Sequence, residues 1–306
     1  MNATSVIIST KNRAQDVIRC LGSISIQTIL PDEIIIVDSS DTVGLKSKLS
    51  AFRALNIKYV QSKPGLTLQR NVGIKASSGD VIIFLDDDVT LDKDYIKEIM
   101  YVFDNCPAQP IGGVTGQIVN EEREGKLIQR FLRFGSETFA ALFFLFRYGD
   151  GKFQLSGFPA AIKSGSVNRI TNAEFLYGCN MAFGREVIST FKFDENLHGY
   201  SWGEDDDIAY RVSRKHQNIY TPFARIVLND LSPSTRGGRY AAMKMTIENH
   251  YYLFKKNLPQ DFKHIVAFYW SVVGLFVREA IIMVIKQDDN GLRGLVSGMQ
   301  KAVGWA

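Results

Sequence analysis

The stretch Val81 to Thr90, VIIFLDDDVT, limits the fold more than any other part of the chain. Five apolar residues run without a polar break, and three carboxylates follow at once: Asp86, Asp87 and Asp88. An apolar run of that length, rich in β-branched residues and preceded by Ser77-Ser78-Gly79-Asp80, reads as a fully buried strand. Its carboxyl end then delivers three acids to one edge of a sheet. Adjacent carboxylates ionise together only at a cost, and a hard divalent cation with oxygen ligands removes that cost. Ligands of open α/β sheets sit at the carboxyl ends of strands. The stretch is therefore read as holding Mg2+ or Mn2+ and, through it, a diphosphate. The competing reading is a solvated acidic turn ahead of a helix with Asp92 as its N-cap.

The residues before this stretch alternate between two periodicities. Val6 to Ser9 is a short buried strand, and Ala14, Val17, Ile18, Leu21 and Ile24 fall at helical spacing. Glu33 to Val37 is the next buried strand, with Asp38 and Asp41 at its carboxyl end. A helix over about 45–55, a strand over 57–61 and a helix over 66–76 complete the series. Such alternation predicts an α/β fold, a mostly parallel sheet flanked by helices. No GxGxxG follows the first strand, so a dinucleotide-binding fold is not supported.

Further on, the pattern predicts a helix over 94–103, a strand over 111–119 and an irregular insertion over 121–172, placed near an acceptor side. A strand over 178–183, a helix from Glu204 through Arg211 and a brief strand over 218–221 follow. Leu231 to Arg239, LSPSTRGGR, is a basic Gly-rich loop. It suits closure over a diphosphate by arginine pairing. A long helical region opens near Tyr240. The predicted division is a domain over 1–239, in halves 1–104 and 105–239, and a helical C-terminal extension over 240–306.

At 306 residues, 45 % hydrophobic and 22 % charged, the chain suits one large domain or two small ones. A net charge of +4 is too small an excess to argue for nucleic acid, and it suits an anionic substrate or membrane surface. The three cysteines are widely spaced, with no CxxC, so neither a disulfide framework nor structural zinc is expected, consistent with a reducing compartment. No basic segment followed by an apolar one marks a signal peptide at the N-terminus.

Six segments together resemble a known family. They are VIISTKNR (Val6 to Arg13), the run from Gln27 to Asp38, Arg70-Asn71-x-Gly73, FLDDD (Phe84 to Asp88), GCNMAF (Gly178 to Phe183) and GEDDDIAYR (Gly203 to Arg211). In this order and spacing, over roughly residues 5–235, the chain resembles family 2 glycosyltransferases. These are inverting enzymes of the GT-A fold (a Rossmann-like nucleotide-diphospho-sugar transferase), here of the bacterial polysaccharide or rhamnosyltransferase type.

The resemblance implies roles. Thr10, Asn12 and Arg13 lie at the edge of the nucleotide pocket, and Asp38 reads the base of the donor. Arg70, Asn71 and Asn180 line the nucleotide sugar, and Arg236 sits in the closing loop. Asp86 and Asp88 fill the acidic positions of the DxD motif, with Asp88 as the usual metal ligand and Asp86 on the ribose or metal side. Asp87 is the middle residue. Asp205 holds the position of the general base, with Glu204 beside it and Tyr200 and Trp202 on the acceptor side. Helical spacing sets Glu204 and Asp207 on one side and Asp205 on another. A histidine that the family often carries before the closing loop is replaced by Val227-Leu228-Asn229-Asp230, which leaves the third protein ligand open.

Direct displacement of a nucleoside diphosphate needs stabilised negative charge on the leaving group and a carboxylate to deprotonate the acceptor hydroxyl. The expected function is therefore metal-dependent, inverting transfer from a UDP- or dTDP-sugar to a saccharide or lipid-linked acceptor, in cell-surface polysaccharide synthesis. The alternatives are a nucleotide-sugar-binding scaffold without activity, or a nucleotidyltransferase. The latter would carry a Gly-rich loop after the first strand, and STKNR has no glycine. Residues 265–285 are long and apolar enough to span a bilayer, but Arg278-Glu279 inside them makes spanning costly. They are read as a helix lying in a membrane interface, with a core helix or a homo-oligomer interface as alternatives. The expected location is cytoplasmic, peripheral on the inner face of the cell membrane.

Overall fold

The computed structural model describes residues 2–41, 44–106, 111–119, 127–197, 201–229 and 238–304, the side chains of 127–134 excepted. The first part runs β1 (Thr4–Thr10), α1 (Ala14–Ile24), β2 (Glu33–Asp38), α2 (Gly44–Lys48), β3 (Ile57–Gln61), α3 (Leu66–Ala76), β4 (Val81–Asp86), β5 (Val89–Leu91) and α4 (Tyr95–Asn105). The second runs β6 (Ile111–Ile118), α5 (Leu127–Leu142), β7 (Arg147–Tyr148), β8 (Lys152–Phe153), β9 (Pro159–Ala161), β10 (Thr171–Ala173), β11 (Asn180–Gly184), α6 (Arg185–Thr190), α7 (Glu204–Ser213) and β12 (Gln217–Leu228). Helices α8 (Gly238–Asn257), α9 (Phe262–Lys286) and α10 (Asn290–Ala302) close the chain.

The large sheet has the order β10-β12-β6-β11-β4-β1-β2-β3, with β5 added beside β12. Strands β3, β2, β1 and β4 are mutually parallel, as their apolar runs require when helices cover both faces. Ile7 and Ile35 pack on one face of the sheet, and Ile8 and Ile36 on the other. Strand β11 enters antiparallel to both β4 and β6, so its N-terminal end meets the carboxyl end of β4. That reversal brings the Gly178–Cys179 turn beside Asp86, whose amide donates to the Cys179 carbonyl at 3.3 Å.

Helix α3 lies close against β1 because Gly73 has no side chain. A Cβ at that position would come within 2.5 Å of Ile7 Cγ2.

Local departures from the sequence reading have plain causes. The helix expected over 45–55 is a short α2 followed by a 3-10 turn, Leu49–Phe52. Strand β12 spans twelve residues rather than four. Its pairing with β6 shifts register between Tyr220 and Arg225, around Pro222, which cannot donate to a ladder. The residues after the acid run form β5 rather than a helix cap, and α4 starts behind Asp94, whose side chain makes no cap bond.

The C-terminal helices share an apolar cluster with the 139–158 segment. Phe143, Leu145 and Phe158 pack with Ile247, Phe254, Phe268 and Leu275, and Trp202 joins at its edge. Among the described residues, α9 is one helix long and apolar enough to cross a membrane by length and composition, and a third of its most apolar window is buried. Glu279, 1 % exposed inside it, accepts from Arg239 at 2.5 Å and from Arg278 at 3.2 Å. The acid within the apolar helix thus turns inward onto α8.

Candidate active site

The site forms where the carboxyl ends of β1, β2 and β4 meet the start of α7. Gln69, 5 % exposed, donates to the carbonyls of Thr10 at 2.9 Å and Val37 at 2.8 Å, and so pins the ends of β1 and β2 together. Beyond β1 the chain turns through Asn12 at φ 58°. An asparagine tolerates this left-handed conformation better than most residues. Its side chain donates to Asp41 at 2.9 Å and accepts from the Asp41 amide at 3.1 Å, tying the first loop to the second. Asp38 is buried, accepting from Tyr59 Oη at 2.8 Å and from the Ser40 amide at 2.8 Å.

The acid run is held from two sides. Thr10 Oγ1 donates to Asp87 at 2.7 Å, and Arg13 donates to Asp87 at 3.1 Å and to Asp88 at 2.9 Å. On the other side Arg70 joins the two distant acid clusters. It donates to Glu204 at 2.8 Å, to Asp86 at 3.3 Å and to the Gly178 carbonyl at 2.9 Å, with its guanidinium 5.2 Å from the Phe193 ring centroid. Asp205 accepts from the Gly178 amide at 3.1 Å. A Cβ at Gly178 would stand 2.8 Å from Asp205 Oδ2, so glycine is what permits this approach.

Charge at the site does not balance. Arg70 faces Glu204, Asp86 and Asp205; burial opposes its charge, and the three carboxylates more than offset that. One guanidinium cannot neutralise three acids, and their proton affinities rise. Burial first, then Asp205 and Asp86, push Glu204 up to about 8 against the pull of Arg70. Burial pushes Asp87 up to about 7 despite Thr10 and Arg13. Asp86 rises to about 6 through enclosure and through Asp88 and Asp205, although its side chain, 37 % exposed, is better screened by solvent than the other two. Asp205, half-buried, is raised as well, by burial.

This surplus of carboxylate oxygen suits a hard divalent cation. Asp86 and Asp88, at opposite ends of the acid run, are the carboxylates that would hold it. Among the described residues, no set of three or more His, Cys, Asp or Glu groups is placed to hold a metal. A cation here would complete its shell with substrate phosphate and water, the usual habit of Mg2+. Asn229, in the 227–230 segment that has no histidine, donates through its side chain to the Asp88 carbonyl at 2.9 Å and so braces the turn.

The structure gathers Thr10, Arg13, Arg70, Asp86, Asp87, Asp88, Glu204 and Asp205 at one place. Asn12 and Asp38 sit on its β1–β2 rim. Two residues expected to line the donor are committed elsewhere. Asn71 donates to the Phe193 carbonyl at 2.9 Å and to Glu195 at 2.8 Å. Asn180, fully buried, accepts from Thr115 Oγ1 at 3.0 Å and from the Gly116 amide at 2.6 Å, tying β11 to β6. Trp202 is half-buried and packs edge-on to Phe158, 6.1 Å between centroids. Tyr200 and Arg236 lie outside the described residues.

Glu204 and Asp207, three residues apart and both buried on α7, take different partners. Arg70 draws Glu204 toward the sheet, whereas Asp207 is held by Arg211, Lys256 and Asn257. Gly178 and Gln69 were not singled out as site residues. A glycine ahead of a buried strand and a glutamine beside Arg70 were the signals available.

Comparison with known proteins gives the family and the fold. The family model "Glycosyl transferase family 2" matches residues 5–189. The uncharacterised glycosyltransferase YwdF of Bacillus subtilis is 26 % identical over 225 residues, 73 % of this chain and 72 % of that one. The O-antigen chain rhamnosyltransferase RfbN of Salmonella typhimurium is 38 % identical over 104 residues, 32 % of each chain. Among solved structures, the mannosyltransferase PcManGT of Pyrobaculum calidifontis, in complex with GDP-Man and Mn2+, superposes with a TM-score of 0.59 at 14 % identity, covering 99 % of this chain and 87 % of that one. S. aureus TarS 1–349 with UDP-GlcNAc gives 0.63 at 13 % identity, covering 98 % and 80 %. These likenesses fix the fold as GT-A. The matched span carries β1 through β4 and their acids, and the chain belongs to glycosyl transferase family 2.

Proposed function

We propose that the protein is a metal-dependent inverting glycosyltransferase, moving a sugar from a UDP- or dTDP-sugar to a saccharide or lipid-linked saccharide in cell-surface polysaccharide synthesis. The observation that carries this reading is the Arg70 bridge, which places Asp86 and the Glu204–Asp205 pair around one guanidinium. Asp205 takes the proton of the acceptor hydroxyl, and that oxygen attacks the anomeric carbon from the face opposite the diphosphate. The bond from the anomeric carbon to the diphosphate oxygen breaks, the nucleoside diphosphate leaves with the electron pair, and configuration inverts. Asp88 and Asp86 would hold Mg2+ or Mn2+, and the ion would supply positive charge to the departing diphosphate. Asp38 accepts from the ring N–H of the base, and Arg13, which holds Asp87 and Asp88, supplies a guanidinium for phosphate beside them. Trp202, half-buried two residues before Glu204, borders the acceptor.

Residues 1–239 carry this chemistry, and the C-terminal helices seat the enzyme on the inner face of the cell membrane. Support comes from the outer side of α9, where Val273 is 46 %, Val284 67 % and Ile285 73 % exposed. Such a face suits an interfacial helix.

The reading is tested with a panel of nucleotide sugars and Mg2+ or Mn2+, following release of nucleoside diphosphate. At least one donor is expected to be turned over, and Asp205→Asn is expected to retain donor binding while losing about 100-fold or more in rate. No stabilisation by any nucleoside diphosphate, or full transfer by Asp205→Asn, would overturn it.

A further inference from the structure

A groove of about 580 Å3 opens between α5 and α9, away from the acid clusters. Phe139, Leu145, Phe146, Ile281 and Ile282 make it largely apolar. Its volume falls within the ~300–1,000 Å3 of small-molecule sites. Two arginines, Arg147 and Arg278, stand in its wall with one acid, Glu137. Behind Arg278, the buried Glu279 is shared with Arg239, so that one carboxylate serves two guanidiniums. Among the described residues of the wall, arginines outnumber acids by one. Apolar walls with a positive rim fit an amphiphile that has a long hydrocarbon chain and an anionic head.

Two further observations narrow the occupant. The groove adjoins the exposed apolar side of α9, so a chain can enter it from a lipid layer without crossing water. Its inner wall also runs toward the transfer site: Phe139, Ala140 and Leu145 belong to the apolar cluster that Trp202 joins, two residues before Glu204.

We infer that this groove binds the hydrocarbon chain of a single long-chain lipid phosphate, with the phosphate between Arg147 and Arg278. Arginine forks match phosphate oxygens in bidentate geometry. Only the lipid's role as carrier of the acceptor rests on the transferase reading; the groove's fit to the lipid stands on its own residues.

Gly135 supplies a clean test. It lines the groove in mid-helix, and a Cβ there meets nothing within 4 Å. A side chain at this position therefore starts in open space on the groove wall, and loss of a helical glycine favours the fold. Binding of tetradecyl phosphate to the full chain, below its micelle concentration, is measured by calorimetry. Saturable one-to-one binding is expected, weakening about fourfold for each methylene removed. Tetradecanol, tetradecanoate, and the phosphate with Arg147→Gln/Arg278→Gln are each expected to bind about tenfold more weakly or worse. Gly135→Phe is expected to abolish lipid binding yet keep its thermal stabilisation by nucleoside diphosphate.

Equal binding by Gly135→Phe, by tetradecanol or by tetradecanoate would overturn the inference, as would adsorption to phosphatidylglycerol vesicles with no monomer binding. Intact nucleotide stabilisation alongside absent lipid binding strikes this inference alone. Absent nucleotide stabilisation strikes the transferase reading.

Discussion

Arg70 and Glu204, 134 residues apart in sequence, form a buried ion pair at 2.8 Å, with 3 % and 9 % of their side chains exposed. The pair lies at the junction of α3 and α7, and Asp86 completes it. Removing one partner of a buried pair leaves the other charged in a poor solvent. Arg70→Met is therefore expected to lower stability by about 3–5 kcal/mol, read by urea denaturation. A loss under about 1 kcal/mol would mean that water already reaches the pair.

Asp205 depends on Gly178 for its position. Gly178→Ala sets a Cβ against Asp205 Oδ2, and the carboxylate must shift. Misplacement on the ångström scale costs up to about 100-fold in rate. Steady-state kinetics are expected to show kcat falling about 10- to 100-fold while the KM for donor changes little. An unchanged kcat would remove Asp205 from the role of base.

Asp207 offers the contrast. It is 1 % exposed, and Arg211, Lys256 and Asn257 engage it, with Lys256 also reaching Asp194 at 2.6 Å. These bonds fasten α7 to α8. Asp207→Ala is expected to cost about 3–5 kcal/mol of stability and to reduce kcat far less than Asp205→Asn does. Denaturation curves and turnover measured on the same preparations separate the two acids.

The acid cluster should leave a mark on stability against pH. Glu204 moves from 4.5 unfolded to about 8 folded, and Asp87 from 3.8 to about 7. Between those limits the folded chain binds more protons than the unfolded one. The contribution of these groups is therefore complete below their unfolded values and is lost as pH rises through about 7 and 8. Glu33 and Asp194 act in the opposite sense. Both are lowered to about 2, and their contribution fades as pH falls toward that value. The metal-free protein is expected to lose Tm from pH 6 to 8.5, less steeply in Asp87→Asn. Mn2+ with a nucleoside diphosphate should raise Tm more at pH 8 than at pH 6. A wild-type profile matching that of Asp87→Asn would contradict the shift at Asp87.

Much of this site is legible in the sequence. Uninterrupted apolar runs ending in acids gave β2 and β4 with Asp38 and Asp86 to Asp88, since a strand buried on both faces has few other spellings. Asp205 was legible through its company, GEDDDIAYR, more than through its spacing. Asn71 and Asn180 show the limit. An amide that braces a strand and one that faces a ligand are written alike, and only the partners, Phe193 and Glu195 for one, Thr115 and Gly116 for the other, tell them apart. The brief strand read over 218–221 continues past Pro222 to Leu228 because β6 tolerates a register shift there, and that neighbour is invisible in one dimension. Asp207 shares its face with Glu204 on a helical wheel, but the pull of Arg70 on one side and Lys256 on the other depends on tertiary contacts.

The bare position at Gly73 sets the gauge of the whole machine. Arg70 lies one helical turn before it, on the same side of α3, so whatever fixes the standoff of that helix from β1 also fixes how far the guanidinium can reach. A single methyl at residue 73 would press on Ile7 and lift the helix like a shim under a beam. The two carboxylates that share Arg70 would then be released together, though neither residue had been touched.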